Sequence, residues 1–236
     1  MNESDDDAPQ VDWLPGIEAA GPVVAWLKGS DERCRVLERL EASVFPEAGS
    51  IFPDAQLDSS FIFGTIIVGK QIRHVVRVSR PMASSVGSEL PFFFREMLAS
   101  GQSLTIAEIS AYYRHRRVDP CNSLSVETNF RVGPRCKAVG IADLAYMAMF
   151  ELANALRADA VFAHINGSSI QSFSRIGLDW EPLLGRSDVC SPDGLGGYDA
   201  DYQPIFIPRT ANNLRILSSL SALAPRAVWL SRSVST

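Results

Sequence analysis

The chain has 236 residues, 46% of them hydrophobic and 21% charged, which is ample for a buried core in one large domain or two small ones. A net charge of −5 and a pI near 5.3 argue against nucleic acid as a partner. No apolar run reaches the ~20 residues that span a bilayer, and the acidic opening Met1-Asn2-Glu3-Ser4-Asp5-Asp6-Asp7 is the opposite of a secretory leader, so a cytoplasmic protein is expected.

Residues 1–10 read as a disordered acidic tail, followed by one domain over 11–236. Val23–Leu27 reads as a short strand or a packed loop. Ser30 as an N-cap, acidic residues at 31 and 32, and Val36, Leu37, Leu40 and Val44 at helical spacing predict a helix over 31–45. After a loop holding Asp54 and Asp58, two β-rich runs, Phe61–Val68 and Gln71–Ser79, are joined by Gly69-Lys70 as a hairpin. A helix is expected from Ser88 to Ala99 and a strand over Leu104–Tyr112. Residues 114–136 read as basic and irregular, with Arg114, Arg116, Arg117, Arg131 and Arg135.

A helix from Ile141 carries an apolar stripe of Leu144, Ala145, Ala148, Met149, Leu152 and Leu156. Ala160–Ile165 lacks polar alternation, as a strand buried on both faces does. A short helix over Ile170–Ile176 stops at Gly177, and two more strands are expected near Leu178–Leu184 and Gln203–Ile207. The four cysteines, Cys34, Cys121, Cys136 and Cys190, lie far apart without metal-ligand spacing, so they read as reduced thiols and no metal is expected.

Lys137-Ala138-Val139-Gly140-Ile141-Ala142 stands directly ahead of the helix from Ile141. Backbone N–H groups there converge at the positive end of the helix dipole, which suits a phosphate or pyrophosphate group. An ordinary helix N-terminus would also place glycine there. Glu108, on the expected strand, shares a face with Leu104, Ile106, Ser110 and Tyr112. Desolvation there would raise its pKa into the range of a general base, unless an arginine such as Arg77 or Arg80 neutralises it. Arg77 alternates with Arg73 and Val75, placed either to hold a carboxylate or a neighbouring acidic residue or simply on a solvated strand face. Asp54 and Asp58 read as solvated loop residues or as ligands for an ammonium group. His164 reads as a satisfied core histidine. The residues Phe92, Phe93, Phe94, Met97 and Leu98 are plain core or the wall of an acyl pocket.

The order of these elements, with Lys137-x-x-Gly140-x-Ala142 between a strand and a helix, resembles the GNAT acyltransferases over roughly residues 31–207. The resemblance implies a single α+β domain with a mixed central sheet flanked by helices, the strand over 104–112 lying parallel beside the one over 160–165. Lysine takes the first place of the phosphate motif, where arginine or glutamine is usual. Asn166 and Ser172-Phe173-Ser174-Arg175-Ile176-Gly177-Leu178 are similar to the family's closing motifs, with no tyrosine in the acid position.

Within the superfamily the chain resembles the N-acyl amino acid synthases and N-acyl homoserine lactone synthases. The shared features are Asp54 and Asp58 ahead of the hairpin, Arg77 followed by Pro81, and Ala107-Glu108-Ile109-Ser110 set against a Glu-x-Ser-Arg strand motif. Ala111 stands where that motif has arginine, which turns the comparison toward the amino acid synthases. The implied activity is transfer of a medium or long acyl chain from an acyl thioester to the amine of a small molecule. The donor would sit on acyl carrier protein or coenzyme A, and no permanently bound cofactor is implied. In that reading Glu108 is catalytic, Lys137 to Ala142 bind the donor, and Asp54, Asp58, Arg77 and Ser110 bind substrate. Autoinducer synthesis, or acyl or carrier binding without chemistry, is the alternative.

Overall fold

The computed structural model describes residues 22–29, 31–44, 61–68, 70–79, 105–133, 141–165, 167–185, 203–221 and 227–229. These form an α+β fold with a mixed sheet. They group into two compact units, one built from Met1–Val78, Thr128–Phe150 and Leu220–Thr236, the other from Ser79–Glu127 and Glu151–Ser219.

In the first unit the strands are β1 (Val23–Lys28), β2 (Phe61–Val68), β3 (Gln71–Ser79, except its last residue), the second half of β4 (Leu124–Arg131) and β8 (Ala227–Trp229), ordered β4-β3-β2-β1-β8. The run Val-Val-Ala-Trp-Leu of β1 is β-prone and buried throughout, which settles Val23–Leu27 as a strand. It pairs antiparallel with β2 and parallel with β8. Trp26 sits opposite Gly64, where any Cβ would collide with the indole ring, so glycine is required there. Helix α1 (Cys34–Val44) buries Cys34, Leu37 and Glu41, spaced along one stripe. Its apolar part joins Ala25, Leu27, Ile67, Ile72, Val75, Phe130 and Val132 in one core cluster. The helix begins three residues later than expected. The Asp31 carboxylate accepts from the backbone N–H and Nε of Arg33 instead, in a turn outside the helix.

In the second unit the order is β6 (Glu181–Pro182), β7 (Gln203–Pro208), β5 (Ala160–Ile165) and the first half of β4. Strand β5 pairs antiparallel with β7 over its whole length, Ala160 opposite Pro208 through to Ile165 opposite Gln203. On its other edge it pairs parallel with β4, over Leu124–Val126 against Val161–Ala163. The parallel neighbour of β5 is therefore the strand at 124–131, within the stretch read as irregular, and not a strand over 104–112.

That segment is instead helix α2 (Ile106–His115). Thr105 is its N-cap: the hydroxyl accepts from Glu108 N–H at 3.2 Å, and the Glu108 carboxylate accepts from Thr105 N–H at 2.8 Å. This is a capping box, T-x-x-E, whose signature is visible in the sequence. Ile109 and Tyr113, one helical turn apart, are both buried, and their spacing outweighs the apparent alternation. They pack with Ala160, Phe162, Leu183 and Phe206, the Tyr113 ring lying edge-on to Phe162 at 5.3 Å and to Phe206 at 5.0 Å. Thr105→Ala is expected to lower stability by about 1 kcal/mol, a typical N-cap loss, readable as a shift of the urea midpoint at unchanged m-value.

Helix α3 (Ile141–Ala155) starts where its stripe predicts and buries Ala145, Ala148, Met149 and Leu152. Helix α4 (Gly167–Ile176) starts three residues earlier than expected and ends at Gly177, whose φ of 78° is left-handed. The strand expected near Leu178–Leu184 shrinks to β6. Helix α5 (Ala211–Ser221) and β8 have no counterpart in the sequence reading. No helix among the described residues is long and apolar enough to cross a membrane.

Candidate functional site

Several residues singled out from sequence lie outside the described set: Asp54, Asp58, Lys137 to Gly140, Asn166 and the 88–99 segment. Ile141 and Ala142 open α3. Residues 134–140, between β4 and α3 in the sequence, lie outside the described set as well.

Two polar clusters lie on the described strands, one in each unit. In the first unit the Glu41 carboxylate, on a residue 3% exposed, accepts from Arg77 Nη1 at 2.8 Å and from Thr128 Oγ1 at 2.5 Å. Arg77 therefore holds an acidic residue of its own chain, as one of its readings expects. Glu41 itself was not foreseen. Its signal was a carboxylate on the buried stripe of α1, a place where charge survives only with partners. His74, also buried, shares a hydrogen bond with the Asn129 amide oxygen, and Thr65 Oγ1 donates to the His74 carbonyl at 3.1 Å. Burial pushes the His74 pKa down.

In the second unit Ser79 Oγ donates to Glu127 Oε1, and Glu127 is 7% exposed. Glu127 is the buried strand glutamate that the reading assigned to Glu108. Glu108 itself is exposed on α2 and bound to its cap, and Ser110 is half-buried on the same helix. Glu108 is therefore not desolvated as expected, because it lies at the start of a helix and not on a buried strand. Glu127 was missed because Ser125, Glu127, Thr128, Asn129 and Arg131 make β4 look like a polar loop. Ser125, Glu127 and Thr128 are nonetheless buried, and Glu127 and Thr128 are hydrogen-bonded there.

Elsewhere in this unit Glu181 accepts from Tyr112 Oη at 3.1 Å and from Arg116 Nε at 2.7 Å, with the guanidinium carbon 3.8 Å from the Tyr112 ring centre. Arg116 is thus committed to holding β6 against α2. Burial, with Glu181 adding to it, pushes the Tyr112 hydroxyl up to about 12.

His164 on β5 has its pKa pushed down to about 4 by burial, from 6.5. A histidine with a depressed pKa binds its proton more readily in the unfolded chain, so stability is fully present above pH 6.5 and falls as pH drops toward 4. Melting temperature followed against pH should decline through that window, and less steeply in His164→Asn.

No family model matches the chain, and no curated protein does. Solved structures do. BjaI, a CoA-dependent acyl-homoserine lactone synthase whose structure holds SAM and isopentyl-CoA, superposes with a TM-score of 0.57 at 14% identity, covering 91% of this chain and 96% of its own. The acyl-homoserine lactone synthase LasI gives 0.55 at 14% identity, with 85% and 96% covered. FeeM, an N-acyl amino acid synthase from uncultured soil microbes, gives 0.50 at 14% identity, with 86% and 96% covered. The chain therefore has the GNAT-like α+β fold of the acyl-homoserine lactone and N-acyl amino acid synthases.

Proposed function

We propose that the protein is an N-acyltransferase, acting in the cytoplasm, that moves a medium or long acyl chain from an acyl thioester to the amine of an amino acid or related small molecule. The observation that carries this is the element order: β4, then α3, whose start at Ile141 falls within the Lys137–Ala142 motif of the sequence, then β5 parallel to β4. A helix N-terminus approached by a glycine-containing turn takes a phosphate of the donor's pantetheine arm. Glu127 serves as the base that removes a proton from the attacking amine, its carboxylate positioned by Ser79.

Gly140→Leu is expected to weaken decanoyl-CoA binding at least roughly tenfold by blocking close backbone approach. Calorimetric titration of the folded variant tests this, and unchanged affinity would refute the placement. Acyl transfer by the purified protein tests the activity itself, using decanoyl donors on coenzyme A and on acyl carrier protein. The carrier-protein donor and partner rest on the resemblance to the amino acid synthases.

Autoinducer synthesis is the second reading, favoured by the SAM in the BjaI structure. Ala111 lies on a helix and so does not bear on that motif, while on β4 Phe130 stands three residues after Glu127, with Arg131 one place further on. Supplying SAM and the free amino acids as competing acceptors, with mass spectrometry of the products, separates the two.

A further inference from the structure

On the face of the second unit's sheet that packs against α2, Ala160 and Phe162 point into the aromatic core with Ile109 and Tyr113. Two-residue alternation sends His164 to the same face. Parallel pairing sets Ser125 beside Phe162 and Val126 beside Ala163, so Ser125 and, two residues on, Glu127 share that face. One further step of the same register brings Glu127 level with His164. The aromatic floor thus gives way to three polar side chains, His164 near the carboxyl end of β5 and Ser125 and Glu127 beside it on the first half of β4, where the printed pairing of the two strands stops at Val126 and Ala163. Ser125 is fully buried, and its hydroxyl has no hydrogen-bond partner among the described residues. A hydroxyl left so in a packed interior is costly, and natural chains tolerate such groups mostly where they serve a ligand.

The geometry points to Ser125 and His164 as the hydrogen-bond donors that receive the carbonyl oxygen of the acyl thioester, beside Glu127. This rests on the acyltransferase reading above. The amine nitrogen bonds to the thioester carbon, and the carbonyl oxygen takes up negative charge that the Ser125 O–H and an imidazole N–H stabilise. The carbonyl then re-forms as the C–S bond breaks. The proton leaving the nitrogen passes to Glu127 and from there to the departing thiolate, so that amide and free thiol are the products. Donors preset at the developing oxyanion act where water is excluded. A neutral imidazole suits this place, since a cation there would pair with Glu127 and blunt it as a base.

The test uses the full chain with decanoyl-CoA labelled with carbon-13 at the thioester carbonyl, in wild type, Ser125→Ala, His164→Asn and His164→Gln. Binding is measured by calorimetry, and the carbonyl stretch of the bound donor by difference infrared spectroscopy. The wild-type band should lie below that of free donor, moving back toward it in Ser125→Ala and His164→Asn, with partial retention in His164→Gln, which keeps a longer-reaching N–H. Each loss should lower kcat by roughly 10²-fold, with donor KM changed little. Ser125→Ala should also raise the melting temperature by roughly 2–4 °C by removing an unpaired buried hydroxyl, whereas a structural hydroxyl would give a fall. A bound donor with the same band in all four proteins, or a fall in melting temperature for Ser125→Ala, overturns the assignment. Absence of donor binding in wild type overturns the acyltransferase reading, and this assignment with it.

Discussion

Glu127→Gln is expected to lower acyl-transfer turnover by roughly 10²–10⁴-fold, the usual loss on removing one acid–base group, with fold and donor affinity kept. The amine must be neutral to attack a thioester, and Glu127 is a buried carboxylate oriented by the Ser79 hydroxyl. Glutamine preserves the shape and still accepts from Ser79 Oγ, so the change isolates the proton-accepting step. The control is Glu108→Gln. Its side chain is exposed and caps α2, and its turnover should stay within roughly threefold of wild type, well short of a catalytic loss. A Glu127→Gln protein with full turnover would take the base role away from β4. A Glu108→Gln protein that alone lost activity would return it to α2.

Glu41→Ala is expected to cost about 3–5 kcal/mol, the loss typical of breaking a buried ion pair by removing one partner. Both Glu41 and Arg77 side chains are 4% exposed, and both Glu41 oxygens are engaged, one by Arg77 and one by Thr128. Loss of the carboxylate leaves the guanidinium and the Thr128 hydroxyl facing a cavity where their shared acceptor stood. Since α1 meets β3 and β4 through this carboxylate, urea denaturation should show a lower midpoint, and a reduced m-value if the helix loosens as well. The double change Glu41→Leu with Arg77→Met should recover much of the stability, because apolar groups of similar volume do not carry the desolvation cost. A single variant that lost under ~1 kcal/mol, as an exposed pair would, would mean that the pair contributes like a surface one.

Local signals were enough wherever one residue pattern had one physical outcome. The hairpin runs of β2 and β3, the buried strand β5 and the stripe of α3 all lie where periodicity puts them, because apolar spacing is decided by which face meets the core. The order of those elements was sufficient to suggest the fold that BjaI and LasI share with this chain at 14% identity. The segment from 104 to 131 was decided otherwise. Its first part shows both a two-residue alternation and a T-x-x-E capping box. Only the packing of Ile109 and Tyr113 on Phe162 and Phe206 selects the helix. Its second part is polar enough to pass for a loop. It is a strand because partners distant in sequence, Ser79 for Glu127 and Glu41 for Thr128, satisfy its side chains once buried. The cost of burying a polar group depends on what it meets there, and that is set by tertiary contacts across tens of residues. For the same reason only the fold decides that Glu127 is buried on a strand while Glu108 is exposed on a helix.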